Sequence, residues 1–145
     1  MFKQPMAKDV GRTSAEVTRL SSESRRQREG SSNVGAFGSR TGDSDLVFLE
    51  GILPESNGTM MSDRSIDEQT VHCFDRLEEI LAARGLDRSS VVKVTVQVTD
   101  PVDLSAVNDV YRERFDGAYP PRTTVGVSWL PGDAGVQFDV IAAAE

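Results

Sequence analysis

The sequence predicts an α+β fold: one sheet carrying two helices on one face. Three patterns predict it. Valines alternate with polar residues at 92, 94, 96 and 98; apolar residues recur at helical spacing over 65–85 and again over 103–115; and two further alternating segments fill 119–144. Strands, helix, strand, helix and a closing strand pair is the order of a sheet covered on one side. At 145 residues the chain is sized for one domain, burying roughly two-thirds of its unfolded surface.

Each element has a local reason. Residues 1–33 are polar and hydroxyl-rich without a sustained apolar period, and read as a flexible arm with room for a short strand near "AEVTRLSS". The domain proper is expected over 34–145. "TGDSD" is turn chemistry, with Gly42 available for a positive φ. "LVFLEGILP", 46–54, reads as a buried strand ended by Pro54. "ESNGTMMSDR" is a loop whose strongest turn signal is Asn57-Gly58. The first helix opens on Ser65 with Glu68 three residues later, a capping-box pattern. Val71, Phe74, Leu77 and Leu81 form its packing stripe, widened by Cys73 and Ile80, and Gly85 stops it. Asp100-Pro101 breaks the valine strand. The second helix places Leu104, Val107, Tyr111 and Phe115 on one stripe. In the last two strands Val125, Val127 and Trp129 oppose Thr124, Gly126 and Ser128, and Val136, Phe138 and Val140 oppose Gln137 and Asp139. The sheet face away from the helices is therefore small and polar, suited to water or to copies of itself.

Composition removes several function classes. The formal charge is −7, which disfavours binding to a phosphate backbone. Its one basic cluster, "SRRQREG" at 24–30, reads as a solvated segment. Cys73 and His72 are the only residues of their types, so an intrachain disulfide and a multi-histidine metal site are both excluded. His72 falls on the polar helix face beside Arg76 and Glu79. No apolar run reaches the ~20 residues that span a bilayer, and the first twenty residues lack a secretory apolar core. Asp9 and Glu16 interrupt an organellar pattern, so a cytoplasmic location is expected.

Catalytic motifs fail in turn. There is no G-x-S-x-G serine, and "GAFGSRTG" has neither dinucleotide nor P-loop spacing. The acids of "SDRSIDE" are explained by helix capping. What remains is Arg122, a permanent cation behind two prolines at a strand entrance. A guanidinium offers a planar fork for a carboxylate, and the preceding proline restricts its approach. It reads either as a carboxylate anchor or as an ordinary ion-paired arginine.

"PPRTTVGVSWLPGDAGVQFDVIAAA" resembles the C-terminal signature of the RidA (YjgF, or L-PSP) family. "LVFLEGILP" resembles that family's strand ending in Ser-Gly before a proline, and "VVKVTVQVTDPVDLSAVNDVYRERF" its strand, Asp-containing turn and Val-Asn-x-x-Tyr helix. The resemblance covers about residues 35–144. It implies a chorismate-mutase-like fold, a homotrimer with a central barrel, and three clefts between subunits. It implies hydrolysis of 2-imino or enamine acids to 2-keto acids with release of ammonia, without metal or organic cofactor. Arg122 then binds the substrate carboxylate, Gly51 lines the cleft and Asn108 lies near the subunit interface.

Four positions depart from the family pattern. A glutamate that orients water is here Gln137; a cysteine is Thr124, whose backbone can still hold water; a tyrosine is Phe37; and the serine before the cleft glycine is Glu50. An amide orients water but takes up no proton. Glu50 then either replaces the missing carboxylate, pairs with Arg122 and occupies the anion site, or sits at a polar rim. The leading reading is a deaminase using Arg122, Gln137 and Thr124, with Phe37, Glu50, Gly51 and Asn108 around the substrate. The alternative is a carboxylate-metabolite binding protein with weak or no chemistry. A ribonuclease reading, attached to older family names, is disfavoured by the acidic balance and the lack of base-stacking motifs.

Overall fold

The computed structural model describes residues 18–19, 35–36 and 38–144. In chain order they form β1 (Thr18–Arg19), β2 (Ser39–Arg40), β3 (Asp45–Phe48), β4 (Glu55–Ser56), β5 (Thr59–Met60), α1 (Ile66–Ala82), β6 (Val91–Val98), α2 (Leu104–Phe115), β7 (Arg122–Gly126) and β8 (Val136–Ala144). This is the expected α+β class with a mixed sheet and two helices. The remainder of the expected arm, and Phe37, lie outside the described residues.

Local chemistry sets the helix ends. Ser65 Oγ accepts a hydrogen bond from the Glu68 N–H at the start of α1. After α1, Gly85 takes φ 71°, and the N–H groups of Leu86 and Gly85 donate to the carbonyls of Leu81 and Ala82 at 2.9 and 3.0 Å. These bonds satisfy carbonyls that the last helical turn would otherwise leave open. Asp100 caps the Pro101–Asp103 turn through its side chain, and α2 follows. Asn57 and Gly58, at φ 53° and 81°, form a two-residue turn between β4 and β5. The expected loop there is thus a small hairpin, because both positive-φ positions fall where such a turn needs them.

The main sheet runs β3-β8-β6-β7, antiparallel except for the β6/β7 pair. The closing hairpin expected from the sequence does not form. β7 pairs in parallel with β6 after the α2 crossover, and the Leu130–Gly135 turn carries the chain past β6 to place β8 beside β3. Val94, Val96 and Val98 of β6 and Val136, Phe138 and Val140 of β8 face Phe74, Leu77 and Leu81 of α1 and Val107, Tyr111 and Phe115 of α2. Phe74 sits among the rings of Phe138, Phe115 and Tyr111, with centroids 5.1, 5.5 and 5.7 Å away. Such edge-to-face packing adds to what burial alone contributes.

Two further strand expectations change. The strand in 46–54 ends at Phe48 rather than Pro54, and Leu46 and Phe48 are exposed because they point to the face opposite Val47, which packs against the core. On β7 the polar residues face the helices: Arg122, Thr124 and Gly126 stand level with Val94, Val96 and Val98, while Thr123 and Val125 share the open face with Thr95 and Gln97. Paired residues in a parallel ladder point to the same side, and β7 sits at the sheet edge where the helix layer ends. Among the described residues no helix is long and apolar enough to cross a membrane.

Candidate functional site

Arg122 opens β7 on the helix side of the sheet, after Pro120 and Pro121, whose carbonyls accept from the N–H groups of Ala36 and Val94. Its guanidinium lies over the Tyr111 ring, 4.5 Å from the centroid. Nε donates to Thr124 Oγ1 at 2.9 Å, and Nη2 donates to Asn108 Oδ1 at 2.6 Å. Nη1 is buried without a hydrogen-bond partner among the described residues. Burial lowers the pKa of the group, yet a guanidinium starts so high that it stays charged. The result is a desolvated cation fixed on three sides with one donor nitrogen left over. A buried unpaired donor of this kind costs free energy that an anion would recover. The two-pronged fork expected from the sequence is therefore reduced: two of its three nitrogens are already engaged inside the protein.

Gln137 lies on the opposite face. Past β3 the chain makes a bulge: Phe48 pairs with Ile141, but Ile52, four residues on, exchanges both backbone bonds with Phe138, only three residues along β8. The extra residue falls at Glu50-Gly51 and turns Gly51 onto the Gln137 side chain. A Cβ on Gly51 would lie 2.5 Å from Gln137 Oε1 and 2.8 Å from its Cδ. With the amide in this position only glycine fits, and a larger residue would require the Gln137 side chain to shift. On the other side Gln137 Nε2 donates to Gln97 Oε1, directly across the β6/β8 ladder. Gly51, Gln137, Gln97 and Val125 thus form a row across the open face.

The sequence-derived site residues therefore fall into two groups. Arg122, Thr124 and Asn108 meet on the helix side; Gly51 and Gln137 meet on the open side. Thr124 contributes its hydroxyl, beyond the backbone role expected of it. Glu50 is exposed beside β3, and Arg122 is on β7, the other outer strand. Three strand spacings separate those edges, roughly 14 Å, so within one chain Glu50 neither pairs with Arg122 nor supplies it a carboxylate. Glu50 lines instead a shallow surface cavity of about 280 Å³ with Phe48, Ile52, Arg76 and Arg84. Phe37 lies outside the described residues. Two residues escaped the sequence reading: Gln97, hidden as one polar step in the valine alternation, and Tyr111, read only as core. Cys73 is fully buried, with its thiol directed to the Ile52 carbonyl, and burial raises its pKa far above the usual thiol range.

The sequence profile of the family described as "Endoribonuclease L-PSP" matches residues 32–144. The chain belongs to this family. Within it, the chain is 41% identical over 100 residues to Protein DfrA of Myxococcus xanthus, covering 68% of this chain and 76% of that protein. It is 40% identical over 101 residues to the chloroplastic Reactive Intermediate Deaminase A of Arabidopsis thaliana, covering 68% of this chain and 53% of that longer protein. Among solved structures, E. coli TdcF with bound serine superposes with a TM-score of 0.64 at 29% identity, over 80% of this chain and 92% of TdcF. The RidA/L-PSP assignment drawn from the C-terminal signature is thereby established, and the fold is that of the family.

Proposed function

We propose that this L-PSP family protein hydrolyses small 2-imino or enamine acids, releasing ammonia and a 2-keto acid, at clefts between copies of a homotrimer. The observation that carries the reading is Arg122: a desolvated guanidinium held by Thr124, Asn108 and the Tyr111 ring, with Nη1 left for an anion. Relatives named reactive intermediate deaminases support the reaction class, and the serine bound to TdcF is a small molecule bearing a carboxylate.

In this reading the guanidinium shifts from its resting packing and uncovers the buried Nη1, which then donates to one carboxylate oxygen. The protonated imine carbon takes a water oxygen, forming a tetrahedral amino alcohol. In the collapse the amine takes up a proton from solvent, the carbon–nitrogen bond breaks, and the hydroxyl proton leaves with the amine as ammonium while the carbonyl forms. Gln137 Oε1 accepts a hydrogen bond from the attacking water but cannot take its proton, which passes to solvent. Arg122 and Gln137 point from opposite faces of one sheet, so a site using both takes one group from each of two copies. The exposed Leu46 and Phe48 on β3, and Trp129, suit such contacts. A cytoplasmic location completes the proposal.

Generating 2-iminobutyrate or 2-iminopropionate in situ and following its disappearance tests the reading. Wild type should accelerate the loss. Arg122→Ala should lower kcat/KM by about 10–150-fold, the equivalent of one charge-assisted hydrogen bond. Equal rates in wild type and Arg122→Ala would remove the anchor. The second reading, a carboxylate-binding protein without efficient chemistry, is favoured by the neutral amide at Gln137. An inactive wild type with activity recovered in Gln137→Glu would establish it.

A further inference from the structure

Gln137 carries an amide, which can present either a donor or an acceptor. An amide that rotates freely about its last bond orients water poorly. The structure gives it a partner. Its Nε2 donates to Gln97 Oε1 from the adjacent strand. Its Oε1 lies against Gly51 on the other side. Gln97 and Gln137 are directly opposed in the antiparallel ladder, a position whose Cβ atoms stand about 5 Å apart, so the two amides meet without stretching either side chain. Both are half-buried on the open face. Thr95 and Asp139, one step along on that face, are paired with each other in the same ladder.

We infer that Gln97 is a positioning residue: it takes the donor end of the Gln137 amide, so that the carbonyl Oε1 is the end presented beside Gly51. The consequence is a fixed polarity. The Gly51 side of the row then receives a hydrogen-bond acceptor, the one property of a glutamate that an amide can reproduce. Flipping the Gln137 amide alone would place two donors, or two acceptors, face to face between positions 97 and 137. Turning both amides together would keep the bond with its polarity reversed, the arrangement that a donor-only residue at 97 would favour. The orientation itself rests on Gln97 and Gly51 alone; its value for water orientation rests on the hydrolase reading above.

The test uses four proteins: wild type, Gln97→Leu, Gln97→Glu and Gln97→Lys. The side-chain amide resonances of Gln137, assigned by their loss in Gln137→Ala, report the clamp without any turnover. In wild type they should be shifted from free-glutamine values and exchange slowly with solvent. Gln97→Leu should return them to free-glutamine values. Gln97→Glu, which can only accept, should preserve the wild-type signature, and Gln97→Lys, which can only donate, should abolish it. Unchanged resonances in Gln97→Leu, or a signature kept by the lysine variant and lost in the glutamate variant, would overturn the assignment. Imine hydrolysis adds a second readout. In Gln97→Leu, kcat should fall ~10–100-fold with KM within about two-fold, as for a misplaced orienting group, and Gln97→Glu should restore it relative to leucine. A wild type without turnover would sink the hydrolase reading and leave the amide resonances to decide the clamp. A KM rise as large as the kcat loss would show that Gln97 acts on binding and overturn its positioning role.

Discussion

Replacing Gly51 by alanine probes the packing on which the Gln137 half of the site depends. The new methyl would lie 2.5 Å from Oε1 and 2.8 Å from Cδ of Gln137, closer than non-bonded atoms tolerate. Gly51 is not one of the positive-φ glycines, so backbone strain plays no part in the cost. The obstacle is the far end of a flexible side chain, so relief comes from Gln137 moving aside, at the greatest cost when it leaves both its rotamer and its bond to Gln97. An off-rotamer torsion costs about 0.5–1.5 kcal/mol, and a lost neutral hydrogen bond costs a similar amount. Together they cap the destabilisation at about 1–3 kcal/mol, or a Tm drop of roughly 2–12 °C for a domain of this size. The assay is urea unfolding of wild type, Gly51→Ala, Gln137→Ala and the double variant at one fixed protein concentration. With Gln137 truncated, the three atoms nearest the alanine at 51 are gone, so its cost should shrink below about 0.5 kcal/mol and the cycle should show the difference as coupling. An equal cost of Gly51→Ala in both backgrounds would refute the packing argument.

Three further outcomes follow from the core and its polar ties. Phe74→Ala empties the ring cluster shared by both helices and β8; calorimetry should show a loss of about 3–5 kcal/mol. Gln69 donates to the carbonyls of Ser62 and Arg64 and accepts from the Gly135 N–H at 2.9 Å. Gln69→Leu leaves that buried N–H unpaired, and chemical denaturation should register about 1–3 kcal/mol. Cys73, buried with its thiol pKa pushed upward, should resist a thiol-specific aromatic disulfide at pH 8 in the native protein and react with one equivalent in denaturant. Reaction at a free-thiol rate in the native state would contradict its burial.

Much of the fold was legible because its signals are local. The α1 cap at Ser65, the stop at Gly85, the Asn57-Gly58 turn and the valine alternation of β6 each follow from a few adjacent residues whose chemistry permits one conformation. The pairing of strands was not legible. An alternating strand such as β8 reads the same whether its neighbour is β7 or β6, and the choice rests on which arrangement buries both of its edges. The bulge at Glu50-Gly51 was hidden for the same reason, since one extra residue is visible only against the partner strand.

By itself the sequence determined the α+β class and the family through its C-terminal signature, and singled out Arg122 as the candidate anion-binding cation, because these depend on residue identity and spacing. Tertiary structure decided which groups meet. It engaged two nitrogens of Arg122 with Thr124 and Asn108, set Gln137 between Gly51 and Gln97, and placed those two clusters on opposite faces of one sheet. The physical reason is that a strand's alternation states only that neighbouring side chains point apart. Which face each side chain reaches, and what waits there, is decided by the register and order of strands far apart in the chain.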